Sequence, residues 1–147
     1  MVIIYHSPFE PGPALLAAAL HLNLFSHRQR PSLQSLRLLL QEKEPSYSPG
    51  ALYLLGTDRQ GNRVYILARG SLATLAANAI HSLFELYGQR EHGRREEVLL
   101  AAISAPRWLP ALGANALAVY LFWNYFRLVR LVEKVEEGAQ QRRNSGG

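Results

Sequence analysis

Two kinds of hydrophobic pattern divide this chain into short apolar runs and longer segments of helical spacing. The short runs are rich in β-branched and aromatic residues, which predicts buried strands. Two of them flank the polar turn TDRQGN, and this spacing predicts a β-hairpin with a longer loop. The predicted strands cover residues 2–5, 52–55, 63–68, 98–103 and 117–121.

The longer segments repeat leucine and alanine three and four positions apart, as amphipathic or buried helices do. Pro13 suits the first turn of a helix because its missing N–H is not needed there. Ser32 and Ser71 can cap two further helices. The predicted helices run from Pro13 to Phe25, from Ser32 to the residues before Pro45, from Ser71 to Gly88, and from Phe122 to Glu137.

Strands that alternate with helices predict an α/β fold with a mainly parallel sheet. We therefore expect a single three-layer domain over residues 1–137, with four or five strands and helices on both faces. The hairpin should add one antiparallel strand, at an edge of the sheet. Residues 138–147, GAQQRRNSGG, are polar and end in glycine, so they predict a disordered tail.

Composition narrows the classes of function. The chain has no cysteine, which excludes a disulfide framework and a thiolate nucleophile and favours a reducing cytoplasm. No basic stretch precedes the first apolar run, so we expect no secretion signal. The net charge is +5, but the arginines are spread from Arg28 to Arg143 rather than gathered on one helix face, which argues against nucleic-acid binding.

The segment 108–126 is apolar enough to raise the question of a membrane span. It has no charged residue, and its length approaches the roughly 20 residues that cross a bilayer. Pro110 and Gly113 interrupt its first half, however. We interpret it as a buried strand at 117–121 that runs into the last helix, and we do not expect a membrane association.

The loop after the first strand is a candidate anion site, because ligands of α/β sheets bind beyond the carboxyl ends of the strands. The amides that open the next helix favour an anion. The candidate anion-binding residues are His6, Ser7, Gly12, Arg69 and Arg107. Yet HSPFEPGP lacks the lysine and second glycine of a phosphate-binding loop, its prolines remove amide donors, and Glu10 would repel a phosphate. The loop therefore resembles a degenerate P-loop.

No other motif assigns catalytic residues. The histidines lack the spacing of a metal site, so we expect neither a metal nor a cofactor. His21 and His81 lie on apolar helices and should be partly buried and hydrogen-bonded. Asp58 should act as a turn former that accepts hydrogen bonds from its own backbone.

The start of the last helix is crowded with aromatic residues next to arginines, a composition enriched at protein interfaces. Its residues either complete the core or form a surface for a protein partner or a second copy of the chain. The candidate interaction residues are Trp123, Tyr125, Phe126, Arg127 and Arg130.

Several stretches resemble one protein family: Tyr5-His6 and a short loop before AAALHL, then GTDRQGNRVYILARGSL and VRLVEKV. The family consists of small uncharacterised proteins of spore-forming Firmicutes that carry a domain of unknown function and open with Tyr-His-Cys and a Gly-Gly-x-His-Ser loop. On this resemblance His6 and His21 keep family positions, whereas Ser7 replaces the cysteine and FEPGPA replaces the glycines, histidine and serines. The resemblance implies a divergent member whose first-loop site is lost.

Two functional hypotheses follow. The first is a non-catalytic binding or protein-interaction domain with a degenerate first loop. The alternative is a phosphate- or nucleotide-binding enzyme that uses the loop after the first strand. The prolines and Glu10 of that loop favour the first hypothesis.

Overall fold

The computed structural model describes residues 1–8, 10–43, 51–68, 82, 97–109 and 113–146. Its strands are β1 (Val2–Ser7), β2 (Leu52–Thr57), β3 (Arg63–Ala68) and β4 (Val98–Ala102). Its helices are α1 (Gly12–His21), α2 (Leu33–Lys43), α3 (Gly113–Trp123) and α4 (Tyr125–Ser145).

The sheet has the order β2-β3-β1-β4, so the apolar run at the start of the chain lies inside it. β1 is parallel to both β3 and β4, and β2 is antiparallel to β3 at the edge. The predicted α/β class, with a mostly parallel sheet and one antiparallel hairpin strand, is confirmed. The hairpin turns through Gly61, whose φ of +80° is a conformation that glycine adopts without strain.

All ten residues of α1 are buried, as its nearly uniform alanine and leucine composition predicts. The helix packs on β1, β3 and the other three helices. Ile3 and Tyr5 of β1 belong to this core, while Val2 and Ile4 are buried on the opposite face of the sheet. The predicted helix from Ser71, apart from Ser82, lies outside the described residues.

Two boundaries follow from caps and breaks in the backbone. The Ser35 amide donates to Ser32 Oγ at 3.1 Å, so Ser32 caps α2 as predicted. Asn124 separates α3 from α4, and its side-chain amide donates to the carbonyl of Tyr120.

The described helices include none that combines the length and apolar character needed to cross a bilayer.

The strand predicted at 117–121 is wrong, because these residues lie within α3. Leu117, Ala118 and Leu121 are buried there at helical spacing. A continuous apolar run carries no polar positions to reveal its period, so β-branched and aromatic content alone misassigned it.

The tail also differs from expectation, since α4 continues to Ser145 and residues 138–145 are helical rather than disordered. Ala139 is buried. The guanidinium of Arg143 donates to the carbonyl of Gln60 at 2.8 Å and to Asn62 Oδ1 at 2.9 Å. These contacts hold the polar end of the helix on the hairpin loop.

Removing residues 138–147 should therefore lower the free energy of unfolding by about 1 to 3 kcal/mol, because the hydrogen bonds of Arg143 and the burial of Ala139 are lost. Urea denaturation of the two chains measures the difference. A chain that ends at Ser145 is the control and should match the full chain. Equal stability of all three would mean that the last turns of α4 contribute nothing to the fold.

Candidate functional site

The loop after β1 is closed by contacts within itself. Ser7 is fully buried, and its hydroxyl donates to the carbonyl of Glu10. The Gly12 amide, in the first turn of α1, donates to Glu10 Oε1 at 3.3 Å. The chain's own carboxylate thus lies where a bound anion would meet the helix.

The start of α1 is also crowded from the side. A Cβ added to Gly12 would lie 2.7 Å from Leu117 Cδ2, and Pro13 is buried as well. Among the other candidate anion-binding residues, His6 is half-buried at the end of β1 and Arg107 is exposed after β4. Arg69 lies outside the described residues. The structure therefore brings together Ser7 and Gly12, which both bond to Glu10 in a loop packed on α3. His6 alternates with Ser7 along β1 and so lies on the other face of the sheet, with Val2 and Ile4.

A buried chain of polar side chains links β1 to the hairpin loop, at the end of the sheet opposite the loop after β1. The Tyr5 hydroxyl is 2.8 Å from His21 Nδ1, and His21 Nε2 is 3.0 Å from Asp58 Oδ2. His21 ends α1 and is only 2 % exposed, whereas Asp58 begins the hairpin loop and is half-buried. One side chain from the sheet, one from a helix and one from a loop are thereby joined.

The surroundings of Tyr5, His21 and Asp58 indicate where the protons of their two shared hydrogen bonds lie. Burial, with the nearby charges of Glu136 and Asp58, raises the pKa of Tyr5, so the phenol stays protonated. Its O–H donates to His21 Nδ1, which leaves the ring proton on Nε2 for donation to Asp58. Both ring nitrogens are occupied, and the imidazole holds the three elements together.

Asp58 also holds the hairpin loop in place. Its Oδ1 accepts the amides of Gln60 and Asn62, each at 2.8 Å, and its Oδ2 accepts the Asn62 side-chain amide at 2.8 Å. Burial alone would raise the pKa of Asp58, but the hydrogen bonds from His21, Asn62 and Gln60 outweigh it and lower the pKa. The predicted turn former is confirmed. Its link to His21 was missed, because the two residues are far apart in the chain.

A polar cavity of about 400 Å³ adjoins these residues. Its wall includes Glu133, Glu136 and Glu137 of α4 together with His27 and Asp58. Burial raises the pKa of Glu136. Within the described ranges, no three side chains of ligand type are arranged to hold a metal ion.

The start of α4 presents aromatic rings to solvent. Trp123, at the end of α3, is 69 % exposed and Phe126 is 37 % exposed. The guanidinium carbon of Arg30 lies 4.7 Å from the ring centre of Phe122, 5.3 Å from that of Phe126 and 5.7 Å from that of Trp123. A cation over several rings restrains them without covering their outer faces.

The other three candidate interaction residues divide between surface and core. Arg127 and Arg130 are exposed on the outer side of α4. Tyr125 is fully buried, and its hydroxyl donates to the carbonyl of Ser26. Tyr125 therefore belongs to the core, which was the alternative left open for this cluster.

Replacing Asp58 with asparagine should destabilise the fold by about 1 to 3 kcal/mol at neutral pH, because buried hydrogen bonds to a charged acceptor are weakened. Because folding lowers the pKa of Asp58, the carboxylate contributes its full stabilisation at pH values above its unfolded-state pKa. This stabilisation is lost as the pH falls through the folded-state pKa. The difference between the two proteins in urea denaturation should thus narrow below about pH 4. Glu42→Gln, an exposed change on α2, is the control. A difference that does not vary with pH would contradict the role given to the carboxylate.

Phosphate, sulfate and nucleotides should not stabilise the protein in a thermal-shift screen, because Glu10 already occupies the Gly12 amide. A ligand bound at 100 times its dissociation constant would raise the free energy of unfolding by about 2.7 kcal/mol, which such a screen detects. His6→Ala is the comparison protein. A shift that this variant loses would establish an anion site at the loop.

Comparison with known proteins adds one match. The model of the family described as "Protein of unknown function (DUF3189)" matches residues 2–137. No curated protein and no solved structure matches the chain. Since the match runs over nearly the whole sequence, the protein belongs to this family of proteins of unknown function.

Proposed function

We propose that the protein is a non-catalytic protein-binding domain whose partner contacts the outer side of the α3–α4 junction. We name this region the α4 surface, and it consists of Arg30, Trp123, Phe126, Arg127 and Arg130. The observation that carries the proposal is the exposure of Trp123, 69 %, beside Phe126. Burying two such rings in an interface would release a large apolar area from water.

The side-chain types of the α4 surface support a binding role. Tryptophan and arginine are the residues most often found where truncation weakens a protein complex. Arg30 lies over three rings and reduces the freedom that Trp123 and Phe126 would otherwise lose on binding.

The charge of the surface favours an acidic partner. Arg127 and Arg130 are exposed, and neither is paired with a carboxylate in the described part of the chain. Placing acidic side chains opposite them would speed association and fix the orientation of the complex. We therefore take the partner to be a protein segment that contributes aspartate or glutamate.

The two polar sites favour this function over catalysis. The loop after β1 binds its own Glu10, and the resemblance to a family with a cysteine at the position of Ser7 supports a lost site there. The His21 ring is bonded through both nitrogens, so proton transfer to a substrate would first have to break a buried hydrogen bond.

Selection of a displayed library of random peptides on the immobilised full-length protein tests the proposal. Enriched peptides should contain aspartate and glutamate, and they should bind Trp123→Ala at least tenfold more weakly than the unmodified protein, a loss of about 1.4 kcal/mol. Trp108→Ala is the matched control, because Trp108 is also an exposed tryptophan but lies outside the α4 surface.

Three results would contradict the proposal. The first is the absence of any enrichment over an unrelated protein, and the second is enrichment of peptides that bind Trp123→Ala undiminished. The third is a dimer of the free protein, seen by light scattering, that Trp123→Ala abolishes. That result would assign the surface to a second copy of the chain.

A further inference from the structure

A groove of about 510 Å³ runs between β4 and α4, next to the α4 surface. Four consecutive residues of β4, Leu99 to Ala102, line one side. Consecutive residues of a strand point to alternate faces, so a wall made of all four is the edge of the strand. The other side consists of Arg127, Arg130, Leu131, Lys134, Val135 and Gly138 of α4.

The hydrogen-bond ladder shows which backbone groups of β4 face this groove. The Glu97 carbonyl accepts the Val2 amide, and the Ile103 amide donates to the His6 carbonyl. Alternate residues of β4 between them therefore point their N–H and C=O groups to β1. The corresponding groups of Leu100 and Ala102 point away from β1, to the groove.

This edge of the sheet carries no further strand within the described residues. Leu100 is 57 % exposed and Ala102 is exposed as well. An open edge with free backbone donors and acceptors is a template for an added strand. The sequence of β4, VLLAA, contains neither the charge nor the proline that often protects a strand edge from pairing.

Positively charged side chains of α4 line the groove, which favours an added strand with negative charge. Arg127, Arg130 and Lys134 follow one another at spacings of three and four along α4, which places them in a row. Leu131 and Val135 supply apolar contacts, and the space above Gly138 is open. Arg127 and Arg130 belong to the groove and to the α4 surface alike, so the two are continuous.

We propose that this groove binds an extended acidic segment of the partner protein as an additional strand of the sheet, paired with the backbone of Leu100 and Ala102. The inference rests on the proposed function and names the class of ligand that it binds. Main-chain hydrogen bonds supply affinity in such β-strand addition, and the side-chain contacts supply specificity. A helix in the groove would leave the Leu100 and Ala102 backbone groups unpaired, because its own groups are already bonded within it.

The first test uses a fluorescein-labelled heptapeptide that alternates glutamate and valine, measured by fluorescence anisotropy with the full-length protein. Two further peptides carry N-methyl groups on alternate residues. One is methylated at the odd-numbered positions and the other at the even-numbered positions, and we call these the two phases. A strand added to an edge pairs along one side only, so one phase should weaken binding at least tenfold and the other should leave it unchanged. A peptide with lysine in place of glutamate should not bind.

The second test locates the peptide on the protein. Hydrogen exchange followed by NMR should show new protection of the Leu100 and Ala102 amides when the glutamate–valine peptide is bound. Arg127→Glu with Arg130→Glu should weaken binding at least tenfold. Arg142→Glu is the matched control, because Arg142 is exposed on the same helix outside the groove.

The outcomes separate this inference from the proposed function. Loss of binding in both N-methyl phases or in neither, or binding without protection of Leu100 and Ala102, would overturn strand addition. No binding of the glutamate–valine peptide would overturn it as well. Peptides selected on the α4 surface would still support the proposed function in each case. Equal binding of a single-stranded oligonucleotide would show that the cationic row recognises phosphate rather than an acidic strand.

Discussion

The burial of α1 is the constraint on which the rest of the structure depends. The helix is apolar on every side, so a sheet alone cannot cover it, and α2, α3 and α4 complete the cover. Its alanines allow those elements to approach closely. Gly12 meets Leu117 at the start of the helix because a larger residue would collide there. Among the described elements, β3 and the helices α2, α3 and α4 therefore all pack against α1.

Both ends of a buried helix carry backbone and side-chain polar groups that need hydrogen-bond partners. At the beginning the Gly12 amide is satisfied by Glu10. At the end His21 is satisfied by Tyr5 and Asp58, and this bond also ties down the hairpin loop. The two places that resemble active sites in their residue types are thus explained as the means by which a buried helix is closed at both ends.

The outer side of α4 combines features that the inner side lacks. Val129 and Val132 pack inward, whereas Arg127 and Arg130 lie outward beside the open edge of β4. Aromatic rings, cations and the edge of β4 thus lie next to one another on this side of the molecule. An acidic extended partner would satisfy all three, since each would gain an interaction that water supplies less well.

The sequence by itself determined the two strands of the hairpin, the capped start of α2 and the burial of α1. These features depend on local turn chemistry, on periodicity and on side-chain type, which a short stretch of neighbouring residues is enough to identify. It did not determine the helix over Leu117 to Leu121, because a uniformly apolar run has no period, nor the order of α4 as far as Ser145. The partnership of His21 with Asp58, the contact of Arg143 with Asn62 and the groove beside Leu100 were decided only by the tertiary structure. Each joins residues distant in the chain, which come together only when the helices pack on the sheet.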